Sequence, residues 1–313
     1  MALFGSRIAF PQGDVPPFAD CRAHTKMDSE LVGYLNRVFG IGPPAAPATP
    51  ESAFKSLAWH FATETPVRRK SAALPTDSGL RSYFDEVGVL VCRPGENSAS
   101  RMSAAIKAGG NRSHSHNDVG SFVISMDGGQ PVGDPGGHHA YDNQTFGPKR
   151  YEKQILNSFG HPVPVVDGQL QIDATTITPK VVKTQFSADE DRISIDLTEA
   201  YEVSALKKLT RNLTYSRKSG GGVSIDDHVI FTKPATFEIA LSTRWKIEQT
   251  GPNSLEFTDS GKKLLAEITT PAGFELTRKE IEELGAPPFT RIGLKLREPV
   301  REATVRLVFR PAP

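Results

Sequence analysis

The sequence has little cysteine and no excess of either charge. Cys21 and Cys92 are its only cysteines and belong to no spaced motif, which favours two unrelated buried thiols over a disulfide. Lysine and arginine total 37 and aspartate and glutamate 36, so the net charge of +1 gives no general attraction to nucleic acid or to a membrane surface. Any anionic ligand must therefore be held by a local basic patch.

Long apolar runs, internal repeats and low-complexity tracts are also missing. No stretch approaches the ~20 apolar residues of a transmembrane helix, so no membrane span is expected. The first residues, MALFGSRIAFPQGD, lack an apolar run followed by a small-residue cleavage site, which predicts that this chain carries no signal peptide. A hydrophobic fraction of 38% and a charged fraction of 23% are those of an ordinary globular chain.

Helical periodicity is convincing only near the start. In SELVGYLNRVFG, residues 29–40, apolar side chains recur at three- and four-residue steps, and Thr49 with Pro50 can begin a second helix. Two such helices bury too little surface to stand alone. We expect residues 1–68 to be a short helical segment that packs on the following domain.

From about residue 69 the residue pattern changes. Short runs rich in Val, Ile, Phe and Thr are separated by Gly, Asp, Asn and Pro, as in SFVISMDGGQPVG and ATVRLVF. Strands at this spacing predict a mainly β domain over residues 69–313, built as a β-sandwich of stacked antiparallel sheets. One exception is TRKEIEELG, residues 277–285, whose composition predicts one or two helical turns.

Histidines cluster in the middle of the chain. Four of the eight lie between residues 114 and 139, and His161 follows. If the H-x-H pair is extended, His114, His116 and Asp118 point to one face, which is costly unless a metal or a reaction organises them. His116, Asp134 and His161 would supply a zinc ion with two imidazoles and a carboxylate, while His138 and His139 compete for the role.

The spacing sets a geometric condition on this site. A simple hairpin turn at DGG, residues 127–129, places residues 122 and 134 opposite each other, and His116 then lies about 20 Å away along an extended strand. The site closes only if residues 113–118 fold back as a loop, or if the pairing differs. H-x-H-x-D also suggests a metallo-β-lactamase, but Val119 occupies the position of that motif's next histidine.

The segments NRSHSHNDVGSFVISMDGGQPVGDPG and NSFGHPVPVVDG resemble the C-terminal β-domain of the heparinase II/III-like polysaccharide lyases. In that family a helical (α/α) toroid precedes the stacked sheets, and the substrate cleft lies between them. The resemblance implies a catalytic role for His114 and a metal-binding role for His116, Asp134 and His161. Pro162 departs from the family, which has an asparagine there.

The resemblance also implies partners and a location. The expected partner is an acidic, uronate-containing polysaccharide, the expected cofactor one structural zinc ion, and the expected location the cell envelope or periplasm. Arg112 and Tyr141 are the candidate substrate-binding residues, and Lys149, Arg150 and Lys153 would extend a basic wall. The resemblance implies that the helical segment of residues 1–68 is the last part of the toroid. Most of the toroid, with the family's tyrosine acid/base, is expected to be absent from this chain, and no feature of the sequence indicates an oligomeric state.

The chemistry implied is β-elimination at a uronic acid. A base removes the proton at C5, the carboxylate is neutralised and an acid protonates the leaving oxygen, roles for which a histidine of near-neutral pKa is suited. The alternative is a non-catalytic glycan-binding β-sandwich whose zinc is purely structural.

Overall fold

A computed structural model describes residues 4–27, 79–95, 98–109, 115–138, 142–143, 145–173, 177 and 180–312. The two helices predicted within residues 29–68 and the predicted boundary near residue 68 lie outside these residues. About 51% of the structure is strand, and the described residues contain no helix of seven residues or more, so the predicted mainly β class is confirmed. None of the described helices is long and apolar enough to cross a membrane.

One short helix and seventeen strands make up the regular structure of the described residues, with single 3-10 turns at Asp85–Val87, Arg150–Glu152 and Thr198–Ala200. In chain order the elements are α1 (Phe4–Ile8), β1 (Arg81–Phe84), β2 (Val89–Cys92), β3 (Met102–Lys107), β4 (Phe122–Met126), β5 (Gly129–Gly133), β6 (Val165–Val166), β7 (Lys180–Phe186), β8 (Glu190–Asp196), β9 (Leu206–Ser216), β10 (Gly222–Ala235), β11 (Phe237–Thr243), β12 (Lys246–Gly251), β13 (Ser254–Asp259), β14 (Lys262–Thr269), β15 (Phe274–Ile281), β16 (Phe289–Leu296) and β17 (Val300–Pro311).

The strands form three antiparallel sheets. The first is a five-stranded meander in the order β1-β2-β3-β4-β5, the second has eight strands in the order β12-β13-β14-β17-β10-β9-β8-β7, and the third has four in the order β15-β16-β11-β6. One continuous apolar core draws on all three sheets. Within it Phe122 of the first sheet lies 6.1 Å, ring to ring, from Phe309 of the second, and β5 packs against β11 of the third.

The first sheet is buried on both faces. Leu90, Ile106 and Ile124 face the common core, while Val91, Ala105 and Val123 alternate with them on the opposite face, as side chains do along a strand. The N-terminal segment covers that second face, and its main anchor there is Phe10. This double burial explains why β3 and β4 contain no exposed residue.

The helix predicted for residues 277–285 is wrong, because β15 extends over Phe274–Ile281 and pairs with β16 along its whole length. β15 is the edge strand of its sheet, and its middle residues are exposed. Charged side chains are common on edge strands because they discourage pairing with another chain. The helix-forming composition of this segment therefore reflects an edge, and pairing with β16 outweighs the local propensity.

Both cysteines are free thiols, as the sequence predicts. Cys92 is buried in the core beside β1 and β3, and burial holds the pKa of its thiol well above the usual range. Cys21 is half-buried in the N-terminal segment.

Candidate functional site

The hairpin formed by β4 and β5 sets the position of Asp134. Its turn at Asp127 and Gly128 has positive φ at both residues, the pattern of a tight two-residue turn. Asp134 follows β5 directly, and its amide donates to Phe122 O at 2.9 Å, so residues 122 and 134 are opposite each other as predicted. Its carboxylate accepts from Ser121 Oγ at 2.6 Å and from the backbone amide of Gly136 at 2.9 Å.

A folded-back loop, residues 115–121, resolves the distance problem set by the sequence. The side chain of Gln171 makes two hydrogen bonds to the middle of this loop. Val119 N donates to Gln171 Oε1 at 2.9 Å, and Gln171 Nε2 donates to Val119 O at 2.8 Å. Arg150 Nη2 donates to Ser115 O at 2.6 Å, and Asn117 N donates to Leu156 O at 2.9 Å. These bonds bring His116 back to the end of the hairpin, where it is fully buried.

His161 is held beside Asp134 by its backbone surroundings. A Cβ on Gly160 would lie 2.2 Å from Gln154 O, so only glycine allows this approach of the chain. His161 Nε2 lies 2.9 Å from Ile155 O, and Nδ1 lies 3.1 Å from Asp134 Oδ2. A carbonyl oxygen only accepts, so Nε2 carries a proton, and Nδ1 of the neutral ring then turns a lone pair toward a carboxylate. A second proton or a bound cation must stabilise that contact.

His116 completes a buried pair of imidazoles. Its ring centroid lies 5.1 Å from that of His161. Neither of its nitrogens has a hydrogen-bond partner among the described residues, although Nε2 lies 3.5 Å from Asp20 Oδ1. A fully buried imidazole in this condition is costly unless it has a ligand.

His116, Asp118 and His161 form a buried group that could hold a metal ion, since one ligand atom from each lies within 4.8 Å of the others. Asp118 Oδ1 accepts a hydrogen bond from Lys107 Nζ, while Oδ2 has no hydrogen-bond partner in the described part of the chain. The H-x-H-x-D motif pointed to Asp118, but the predicted metal set did not include it.

Burial and mutual charge shift the pKa values of His116, His161 and Asp134. Burial lowers the pKa of His116, and the positive charge of His161 adds to this, while Asp20, Asp118 and Asp134 oppose it. Burial also acts to lower the pKa of His161, but the charge of Asp134 and its hydrogen bond outweigh burial and raise it. For Asp134, burial is outweighed by His161 and the pKa falls well below its usual range.

The residues present fit a divalent metal. Two imidazoles and buried carboxylates are ligand types that zinc takes, and the Nε2–H donation of His161 to Ile155 O is the kind of contact that orients a metal-binding ring. Two ligands of a tetrahedral zinc stand about 3.4 Å apart, given Zn–ligand distances near 2.1 Å. The 3.1 Å between His161 Nδ1 and Asp134 Oδ2 is close to that separation.

Several predicted residues lie outside the described residues, namely His114, Arg112, Tyr141 and His139. His138 is buried, with Nε2 3.7 Å from Glu283 Oε2, so it does not belong to a solvated loop. Of the predicted basic wall, Arg150 is buried and binds backbone carbonyls, Lys153 pairs with Asp142 at 2.6 Å, and Lys149 is exposed. Arg150 therefore supports the loop and does not form a solvent-facing wall.

No model of a protein family matches the chain, and no curated protein matches it. Solved structures do match. A heparinase III has a TM-score of 0.70 at 15% identity, over 100% of this chain and 46% of its own. The heparan sulfate lyase HepC from Pedobacter heparinus has a TM-score of 0.68 at 13% identity, over 98% and 45%.

A second heparinase III structure matches with a TM-score of 0.63 at 14% identity, over 99% of this chain and 46% of that one. The chain thus spans somewhat less than half the length of these lyases. At such identities the likeness concerns the fold. The chain therefore has the fold of slightly under half of a heparinase III, and the resemblance predicted from the sequence is confirmed at the level of fold.

Proposed function

We propose that this chain contributes the metal-supported wall of a polysaccharide lyase cleft that cleaves a uronate-containing glycan by β-elimination. The observation that carries the proposal is the buried group of His116, Asp118 and His161 on a heparinase III fold. Two of its members, His116 and Asp118, lie in the loop that directly follows His114 in the sequence. The proposed location is the cell envelope or periplasm, where such a polymer would be met.

In the proposed reaction His114 takes the C5 proton of the uronate. The electrons of the C5–H bond form a C4–C5 double bond, the C4–O bond breaks, and the leaving oxygen receives a proton from an acid. Cationic groups near the carboxylate, among them Arg112, would stabilise the charge that develops before the bond breaks. Tyr141 would contact the sugar.

Zinc is the metal we propose for His116, Asp134 and His161. Elimination consumes no water, so the ion would not activate a nucleophile. It would instead hold the loop of residues 115–121 against the segments that carry Asp134 and His161. Asp118 is the less favourable carboxylate of the two, because Lys107 already neutralises it. Asp134 contacts His161 directly and has no lysine or arginine paired with it among the described residues.

The test of the reaction is the ultraviolet absorbance of unsaturated uronate products. Heparan sulfate is the first substrate to supply, because a heparan sulfate lyase is among the matching structures, followed by other uronate-containing glycans. We expect His114→Ala to lower the rate about 10²- to 10⁴-fold, the usual contribution of a general base. His228→Ala is the matched control, because His228 lies on β10 and pairs with Glu302 at the surface.

Equal rates for the two variants would contradict the role of His114. No product from any uronate glycan, with the chain alone or with the chain joined to a helical toroid like that of the resembling family, would contradict the lyase proposal.

The second candidate function is a non-catalytic glycan-binding module with a structural zinc ion. The complete burial of His116 and His161 favours it, because a metal so enclosed suits structure better than catalysis. It predicts retention on immobilised glycan with no change in the length of the glycan chains, an outcome that separates it from the lyase.

A further inference from the structure

The N-terminal segment passes directly over the loop that carries Asp134. Gly137 N donates to Cys21 O at 2.9 Å. A Cβ on Gly136 would lie 2.8 Å from Cys21 O, and one on Gly137 would lie 2.6 Å from Asp20 Cα. The two glycines, which follow Asp134 by two and three residues, therefore allow a backbone-to-backbone contact with Asp20 and Cys21.

The side chain of Asp20 faces His116 from that contact. Its Oδ1 lies 3.5 Å from His116 Nε2, close to the separation of about 3.4 Å expected for two ligands of one tetrahedral zinc. The same oxygen lies 3.9 Å from Arg150 Nη2, which also bonds the loop. The side chain of Asp20 is 16% exposed, so the carboxylate sits at the outer edge of a buried group.

We propose that Asp20 is a fourth ligand of the metal site and that the bound ion fastens the N-terminal segment to the β-domain. The inference rests on the proposed site at His116, Asp134 and His161. Four protein ligands close a tetrahedral site, which is the arrangement of structural zinc.

The consequence is specific to one part of the chain. Phe10 anchors the start of the segment to the first sheet through apolar contact, and that anchor needs no metal. Within residues 15–26 only Phe18 packs against the same apolar cluster, so the ion is expected to protect the backbone amides of this stretch most. Removing the ion should therefore loosen residues 15–26 while β3 and β4 stay protected.

The experiment compares wild type, Asp20→Asn and a control, Asp189→Asn. Asp189 is an exposed acid paired with Lys218 far along the chain, so the control removes the same charge. Each protein is stripped with a chelator, titrated with Zn²⁺, and measured for bound metal by elemental analysis and for amide hydrogen exchange. We expect wild type and Asp189→Asn to bind one ion, and Asp20→Asn to bind at least about tenfold more weakly.

With zinc present, residues 15–26 of Asp20→Asn should exchange as fast as those of metal-free wild type. Zinc should raise the thermal midpoints of wild type and Asp189→Asn by equal amounts and that of Asp20→Asn by less, whatever the midpoints of the metal-free forms, in which Asp20 already lies near Arg150. An equal zinc-induced rise in all three proteins would overturn the inference. Equal zinc affinity in wild type and Asp20→Asn would overturn it too, while leaving the metal site intact. Failure of wild type to bind zinc would reject the site itself.

Discussion

Arg211 is among the largest fully buried side chains of the described residues, and it lies beneath the candidate site. Its Nε and Nη2 bond the two oxygens of Asp227 at 2.7 and 2.6 Å, and its Nη1 donates to Gly120 O and Pro162 O at 2.8 and 2.6 Å. The Arg211 guanidinium thus joins β9 and β10 to the loop of residues 115–121, which carries His116, and to the segment that carries His161.

Asp227→Ala should destabilise the protein by about 3–5 kcal/mol, because it leaves the buried charge of Arg211 without its partner. Urea unfolding followed by circular dichroism measures this. Glu199→Ala, which removes an exposed ion pair with Lys180, is the control and should leave the free energy of unfolding almost unchanged. Equal losses in the two variants would contradict the structural role given to Arg211.

The sequence predicted part of the site at this scale. His161 contacts both Asp134 and His116. Asp134 and His161 stand in glycine-rich surroundings that indicated sharp changes of chain direction, while their binding of a metal stays a prediction. The approach of Asp20 to His116 was not predictable, since Asp20 precedes His116 by about a hundred residues and belongs to no motif. Lys107 lies in an apolar strand, where nothing local reveals that it neutralises Asp118.

At the scale of elements, the hairpin of β4 and β5 is the feature on which the site depends most. Gly133 ends β5 with φ of 147°, and a Cβ there would lie 2.4 Å from Val123 Cα. Since Asp134 follows at once, any shift in the strand end moves the carboxylate.

Gly133→Ala should therefore lower the free energy of unfolding by about 2–5 kcal/mol, the sum of backbone strain and overpacking. Gly168→Ala is the matched control, because Gly168 has φ of 75° but no atom within 4 Å of its would-be Cβ. Gly168→Ala should lower the free energy of unfolding by about 1–2 kcal/mol, through the backbone strain of a positive φ alone. Thermal and urea unfolding compare the two, and a smaller loss for Gly133→Ala would contradict the close approach.

The elements divide into those that the sequence predicted and those that it did not. The DGG turn and the alternating runs predicted β4, β5 and β17, because their turn chemistry and periodicity agree. β15 was predicted as helix, because its charged residues favour a helix locally and only pairing with β16 makes it a strand. The path of residues 115–121 was also beyond local reasoning, since side chains from distant segments set it.

At the scale of the whole molecule, the N-terminal segment covers the face of the first sheet that points away from the common core. Phe10 is 2% exposed and packs with Val91, Ala105 and Val123, whereas Phe4 is 51% exposed. Without this cover, one face of the meander would expose its apolar side chains to water.

Phe10→Ala should destabilise the protein by about 3–5 kcal/mol and increase the binding of a dye that reports exposed apolar surface. Phe4→Ala removes the same ring from a surface position and should cost about 1 kcal/mol or less. Dye binding that is equal in the two variants would show that the segment does not cover the sheet in solution.

Three side chains from outside the loop of residues 115–121 form hydrogen bonds with its backbone, those of Gln171, Arg150 and Arg211. None of these three contacts depends on which side chains the loop carries. The path of the loop is thus set partly from outside, while the ion pair of Asp118 with Lys107 and the positive φ of Gly120 also hold it. A substitution at Gln171, Arg150 or Arg211, which all lie outside the loop, would therefore displace His116 and Asp118 with neither residue changed.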